Sequence, residues 1–190
     1  MYSFGIQLIN ILEKIHRAGF VYNDLKLDNL LLDADVDIQS LLMTDKDFFE
    51  TVNVNIIDYG FVTRYVDDGF KKHVSKQEVD VFRGNILFSS LHQLKFKTTS
   101  RRDDIISLFY LLVYLLHDGR MPGFKYHPKQ DVEELFQAAL QARENQKSKD
   151  VCFGASKDLI DFKREVFSYR FKDEPNYDGL RAMLYELKYE

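Results

Sequence analysis

Apolar residues in this chain follow two different periods. Phe4, Leu8, Ile11, Leu12 and Ile15 recur at helical spacing, and Gly19 is placed to stop the helix they predict. After a polar stretch at 21–29, Leu30, Leu31 and Leu32 make a short apolar run of strand type. Val52, Val54 and Ile56 then alternate and end at Asp58-Tyr59-Gly60, which predicts a second strand delivering an acidic residue to a turn. The two strands form a small β-hairpin with polar residues at its ends. Residues 65–100 are charged and without period, so a long irregular segment is expected there, and ordered loops of that kind usually carry function. Residues 105–116 are apolar on nearly every face, as in a helix buried at the centre of a bundle. Val132, Leu135, Phe136, Ala139 and Leu140 predict another helix, Leu159, Phe162 and Val166 a further one, and Leu180, Met183, Leu184 and Leu187 a last. The expected fold is mainly α: a helical bundle with one small hairpin.

A chain of 190 residues with 45% hydrophobic content builds one core, so a single domain over 1–190 is expected. Twenty-six basic and 30 acidic side chains are interspersed for a net charge of −4, which argues against nucleic acid or an anionic membrane as partner. Residues 33–53 form an acidic insertion, expected at the surface; its alternate carboxylates Asp33, Asp35 and Asp37 lack the Gly and terminal Glu of a calcium loop. The single Cys152 excludes an internal disulfide and, with no activating neighbour in sequence, reads as an unreactive thiol. No signal peptide or membrane span is evident, and an intracellular, cytoplasmic location is expected. His16, His73, His92, His117 and His127 show no metal-ligand spacing. Lys71, Lys72, Lys95, Lys97, Arg101 and Arg102 are candidates for an anion-binding groove.

The informative segment is Val21-Tyr22-Asn23-Asp24-Leu25-Lys26-Leu27-Asp28-Asn29, followed by the hairpin and Asp58-Tyr59-Gly60. Phosphoryl transfer needs a carboxylate near the attacking hydroxyl, a cation on the moving phosphoryl group and oxygen ligands for magnesium. Asp24, Lys26, Asn29 and Asp58 supply these parts. D-x-K-x-x-N alone is a weak pattern, but a helix before it, a strand after it and D-Y-G closing the next strand make up the arrangement of a kinase catalytic loop and magnesium loop.

In these residues the chain resembles the casein kinase 1 and vaccinia-related kinase group. Ser100-Arg101-Arg102-Asp103-Asp104 is similar to the S-R-R-D-D that opens the central helix of casein kinase 1. Phe82-Arg83-Gly84-Asn85 through Ser89-Ser90, and Arg170-Phe171 through Pro175-Asn176-Tyr177, resemble two further segments of that family. The resemblance implies the C-terminal lobe of a serine/threonine protein kinase, with Asp24 and Lys26 catalytic, Lys26, Asn29 and Asp58 toward ATP, and Asn29 and Asp58 as magnesium ligands. It further implies that Asp104 holds the catalytic-loop backbone, and that Tyr22, in place of a His, packs under Tyr59 with both in the core.

Departures from the family pattern bear on activity. Asn23 replaces an Arg, so docking of a phosphorylated activation loop there is not expected. Asn85 replaces a Thr that bridges the catalytic Asp and Lys, and Leu87 replaces an Arg that binds substrate phosphate. The Gly-rich loop, the Lys–Glu pair and the adenine hinge of an N-terminal lobe have no counterpart, so the isolated chain is expected to bind ATP poorly and to need a protein partner or the missing lobe. A kinase-derived scaffold, or pseudokinase, is the alternative. A small-molecule phosphotransferase of the aminoglycoside or choline kinase type is a third, disfavoured by the segments after Asp58.

Overall fold

The computed structural model describes residues 2–33, 49, 52–67, 72–124, 130–145 and 157–187. Helix α1 (Tyr2–Arg17) turns its apolar stripe inward, with Leu8, Ile9 and Leu12 fully buried, and ends before Gly19 at φ +92°. Each such side chain contributes about 1.5–3 kcal/mol by leaving water. At Gly5 an added Cβ would lie 2.8 Å from Leu184 and 3.3 Å from Leu112, so this glycine sets how closely α1 approaches its neighbours. The expected central helix is α3 (Arg101–Leu116), buried from Arg102 to Val113. Its N-terminus is closed by the Asp103 carboxylate, which accepts from the Ser100 N–H at 2.8 Å. Helices α5 (Lys157–Ser168) and α6 (Tyr177–Glu186) complete the bundle: α1 packs on α3 and α6, and α5 on the same two.

The predicted hairpin is β2 (Leu30–Leu32) with β3 (Val54–Ile56), antiparallel, in the register Leu30 opposite Ile56 and Leu32 opposite Val54. Gln7 of α1 holds the returning strand, donating to the carbonyls of Phe49 and Val52 and accepting from the Val54 N–H. Asp33 closes the mouth of the insertion with bonds from Asn53 and Asn55, while its other acidic residues lie outside the described residues. So do Cys152, His127 and Lys71.

Three expectations are corrected. A second two-stranded sheet pairs β1 (Phe20–Val21) with β4 (Thr63–Arg64), two strands too short to leave a period. Within 65–100 lies a one-turn helix, α2 (Leu91–Leu94), capped by the Ser90 hydroxyl. On α4 (Val132–Glu144), Val132 is 74% exposed rather than buried, because it stands on the first turn, beyond the face that packs on α2.

Candidate functional site

The 21–29 loop is held from beneath by one carboxylate. Asp104, fully buried in the first turn of α3, accepts from the backbone N–H of Tyr22 at 2.7 Å and of Asn23 at 2.8 Å. His16 of α1 places Nε2 2.8 Å from the same carboxylate and Nδ1 2.7 Å from the Tyr177 hydroxyl on α6. The Tyr65 hydroxyl donates to the His16 carbonyl at 2.7 Å. Burial raises the pKa of Tyr177, so this hydroxyl stays neutral within the network. A satisfied buried network of this kind permits one backbone path, and the loop takes it with Asn23 at φ +72°. The role expected of Asp104 matches this geometry.

Above that support, Asp24 is 1% exposed and collects three partners. Its Oδ2 lies 2.8 Å from the Lys26 ammonium and accepts from the Asn29 amide at 2.9 Å; its Oδ1 accepts from the Asn85 amide at 3.2 Å. The Asn29 amide also donates to the Asp24 carbonyl at 3.0 Å, leaving the Asn29 side-chain carbonyl oxygen for another partner. Asn85 also donates to the Leu25 carbonyl and receives the Phe88 N–H, so the amide keeps a bond to Asp24 but, in place of the expected bridge to Lys26, ties the loop backbone.

Asp58 reaches the same region through the hairpin register. The Ile57 N–H donates to the Asn29 carbonyl at 2.9 Å, which sets Asp58 one residue past Asn29's neighbour. Asp58 is exposed, at φ +60°, and accepts from the Gly60 N–H at 3.0 Å. Asn and Asp are the non-glycine residues that best tolerate this left-handed region, so the residue types at 23 and 58 were signals of a turn. Beneath lies Tyr22, whose hydroxyl donates to the Ile57 carbonyl at 2.6 Å. Its pKa is pushed up by burial, pulled down by the Asn29 amide and pushed up again by the Asp24 and Asp58 charges, so both carboxylates act on one hydroxyl. Tyr59 meets Tyr22 edge-on at 5.8 Å but is 56% exposed. Only Tyr22 belongs to the core; the expectation for Tyr59 is corrected, because nothing among the described residues covers its outer face.

Asn23 donates to the Phe61 carbonyl at 2.7 Å and the Thr63 hydroxyl at 2.9 Å, and its own carbonyl receives the Gln93 amide at 2.9 Å. Gly84, at φ +123°, passes so close that a Cβ would sit 2.5 Å from the Asn23 carbonyl. Four of the six candidates for an anion groove are engaged with other groups of the protein. Lys95 pairs with Glu144 and Lys97 with Glu78, Arg101 faces Tyr65 and Glu174, and Arg102 is buried beside Asp103. Sequence reasoning missed His16 and Gln93 in these networks; their partners are 88 and 70 residues distant, and no period marks such contacts.

A mainly helical bundle whose small hairpin presents D-x-K-x-x-N and D-Y-G side by side is the C-terminal lobe of the protein kinase-like fold. No family model matches the chain. The sequence is 33% identical over 182 residues to a casein kinase 1-like protein of Oryza sativa subsp. japonica, covering 94% of this chain and 23% of that protein. It is 27% identical over 182 residues to a "probable casein kinase I homolog" of Encephalitozoon cuniculi, covering 95% of this chain and 54% of that protein. It is 26% identical over 182 residues to a "probable serine/threonine-protein kinase" of Fowlpox virus, with coverage of 95% and 54%. The chain is a homologue of the casein kinase 1-like proteins, and it spans between 23% and 54% of the length of these relatives.

Proposed function

We propose that the chain is the C-terminal lobe of a cytoplasmic serine/threonine protein kinase of the casein kinase 1 group, which transfers a phosphoryl group from ATP to protein hydroxyls when an N-terminal lobe completes the nucleotide site. The carrying observation is the convergence on Asp24 of one ammonium and two amides, with Asn29 and Asp58 at one end of the hairpin. In this reading Asp24 orients the substrate Ser or Thr hydroxyl and accepts its proton. Lys26, partly exposed beside it, offsets charge on the transferred group.

Bound magnesium-ATP supplies the phosphoryl donor. Asn29 and Asp58 fit a magnesium ion by donor type, since both offer hard oxygens, and the Asn29 nitrogen is already engaged on Asp24. Asn29 and Asp58 would then hold the ion through one amide oxygen and one carboxylate.

A kinase-derived scaffold is the second reading. It is supported by Asn23, Asn85 and Leu87 in place of the family's Arg, Thr and Arg, and it shares with the first reading the exposed apolar side chains near the hairpin: Leu31 at 51%, Ile57 at 38%, Tyr59 at 56% and Phe61 at 38%. Both readings give this face a protein partner, an N-terminal lobe in the first, and predict that the chain alone associates or aggregates. A stable monodisperse monomer would count against that. Magnesium-dependent ATP binding and phosphate transfer, measured on the chain alone and in its natural assembly beside Asp58→Ala, separate the two. Transfer lost with the substitution supports the enzyme; tight partner binding indifferent to it, without transfer, supports the scaffold.

A further inference from the structure

Residues 85–89 are bonded to Asp24 at one end and to α4 at the other. Arg143, on the last turn of α4, is 5% exposed. Its Nη2 donates to the Leu87 carbonyl at 2.5 Å and its Nε to the Ser89 carbonyl at 3.4 Å. The guanidinium carbon lies 3.6 Å from the centre of the Tyr110 ring on α3. No carboxylate of the described residues pairs with it, and burial depresses its pKa.

A buried guanidinium surrounded by carbonyls and a ring face carries a desolvation cost that an unbranched apolar side chain of similar length would avoid. Packing of α4 therefore gives no reason for a charge at this position. The two carbonyls do: they belong to irregular backbone, where buried acceptors need donors from side chains, and a planar fork can serve both together. From there the connection runs inward. The Ser89 hydroxyl donates to the Asn85 carbonyl, and the Asn85 amide donates to Asp24 and to the Leu25 carbonyl.

We propose that Arg143 is a positioning residue, which fixes the backbone of residues 87–89 from α4 and, through Asn85, shapes the side of Asp24 that a protein hydroxyl must approach. The proposal rests on the phosphoryl-transfer reading above. It assigns Arg143 to the protein-substrate side of the reaction and not to the nucleotide side, so the two half-reactions must respond differently to its loss.

The test compares wild type, Arg143→Met and Arg143→Lys in the natural assembly, by transfer to a Ser-containing peptide, by ATP hydrolysis to water without peptide, and by amide hydrogen exchange at 86–90. Arg143→Met is expected to lower peptide kcat/KM by about tenfold, mostly through KM, while hydrolysis stays within about twofold. Exchange at 86–90 accelerates while α3 stays protected, and Arg143→Lys falls between the two, since it keeps the charge and loses the fork. Equal losses of hydrolysis and transfer, with a lower melting temperature, mean a merely structural role and overturn the proposal. Unchanged transfer overturns it as well. If Arg143→Met does not fold, the same two rates in Arg143→Lys decide: a loss confined to peptide transfer supports the proposal, equal or absent losses overturn it. A wild-type assembly that neither hydrolyses nor transfers overturns the kinase reading and this proposal together; one that does both beside an unaffected Arg143→Met overturns this proposal alone.

Discussion

Asp104 and Asp58 flank the same loop in opposite settings. Asp104 is fully buried, with two backbone N–H groups and the His16 ring on its oxygens. Asp58 is exposed, in a left-handed backbone conformation, with the Gly60 N–H as its bond. The first has its hydrogen-bonding capacity filled by the protein and serves to fix a backbone path. The second keeps oxygens facing outward, where a ligand can use them. On the reading proposed above, stability and chemistry are divided between two carboxylates, and substitutions at each should separate the two properties.

The largest expected effects are on phosphate transfer, at Asp24 and Asp58. Asp24→Asn keeps the shape of the buried partner of Lys26 and removes its basicity, and should lower phosphate transfer by about 10²–10⁴-fold with magnesium-ATP affinity retained. Asp58→Ala should abolish magnesium-dependent transfer yet move unfolding free energy by no more than about 0.5 kcal/mol, as read from urea titration. A large loss of stability at Asp58 would break the comparison.

On the buried side, Asp104→Ala should cost about 3–5 kcal/mol, because it strands His16 and two backbone donors. A loss below about 1 kcal/mol would show that the loop holds its path without this support.

Its neighbour Asp103 sharpens the point through pH. Burial pushes the Asp103 carboxyl up, but His92, Arg102 and the Ser90 hydroxyl outweigh it, and the net pKa lies below the ordinary 3.8. A depressed folded-state pKa means stability that is present above the unfolded value and lost as pH falls through the folded one. Asp103→Asn should therefore cost about 1–3 kcal/mol near neutrality and less in acid, so its unfolding free energy falls less steeply than wild type below about pH 4. Parallel pH profiles would sink this assignment.

The smallest contrast lies within the edge-on pair of tyrosines. Tyr22→Phe loses the bond to the Ile57 carbonyl and should cost about 1 kcal/mol, while Tyr59→Ser, on an exposed ring, should stay within about 0.5 kcal/mol by thermal or urea unfolding.

Much of this architecture was legible in the chain. The helical spacing of Phe4, Leu8 and Leu12, the unbroken apolar run at 105–116 and the alternation through Val54 and Ile56 each follow from burying one face of a regular element. The candidates Asp24, Lys26, Asn29 and Asp58 could be picked out too, since D-x-K-x-x-N and D-Y-G stand on either side of the predicted hairpin. Tertiary structure alone decided which groups meet. His16 finds Asp104 across 88 residues and Tyr177 across 161, β1 finds β4, and Arg143 finds the carbonyls of 87 and 89. Periodicity records which side of an element is dry, a property of neighbours along the chain; a hydrogen bond between distant elements depends on how whole elements pack, and leaves no such trace.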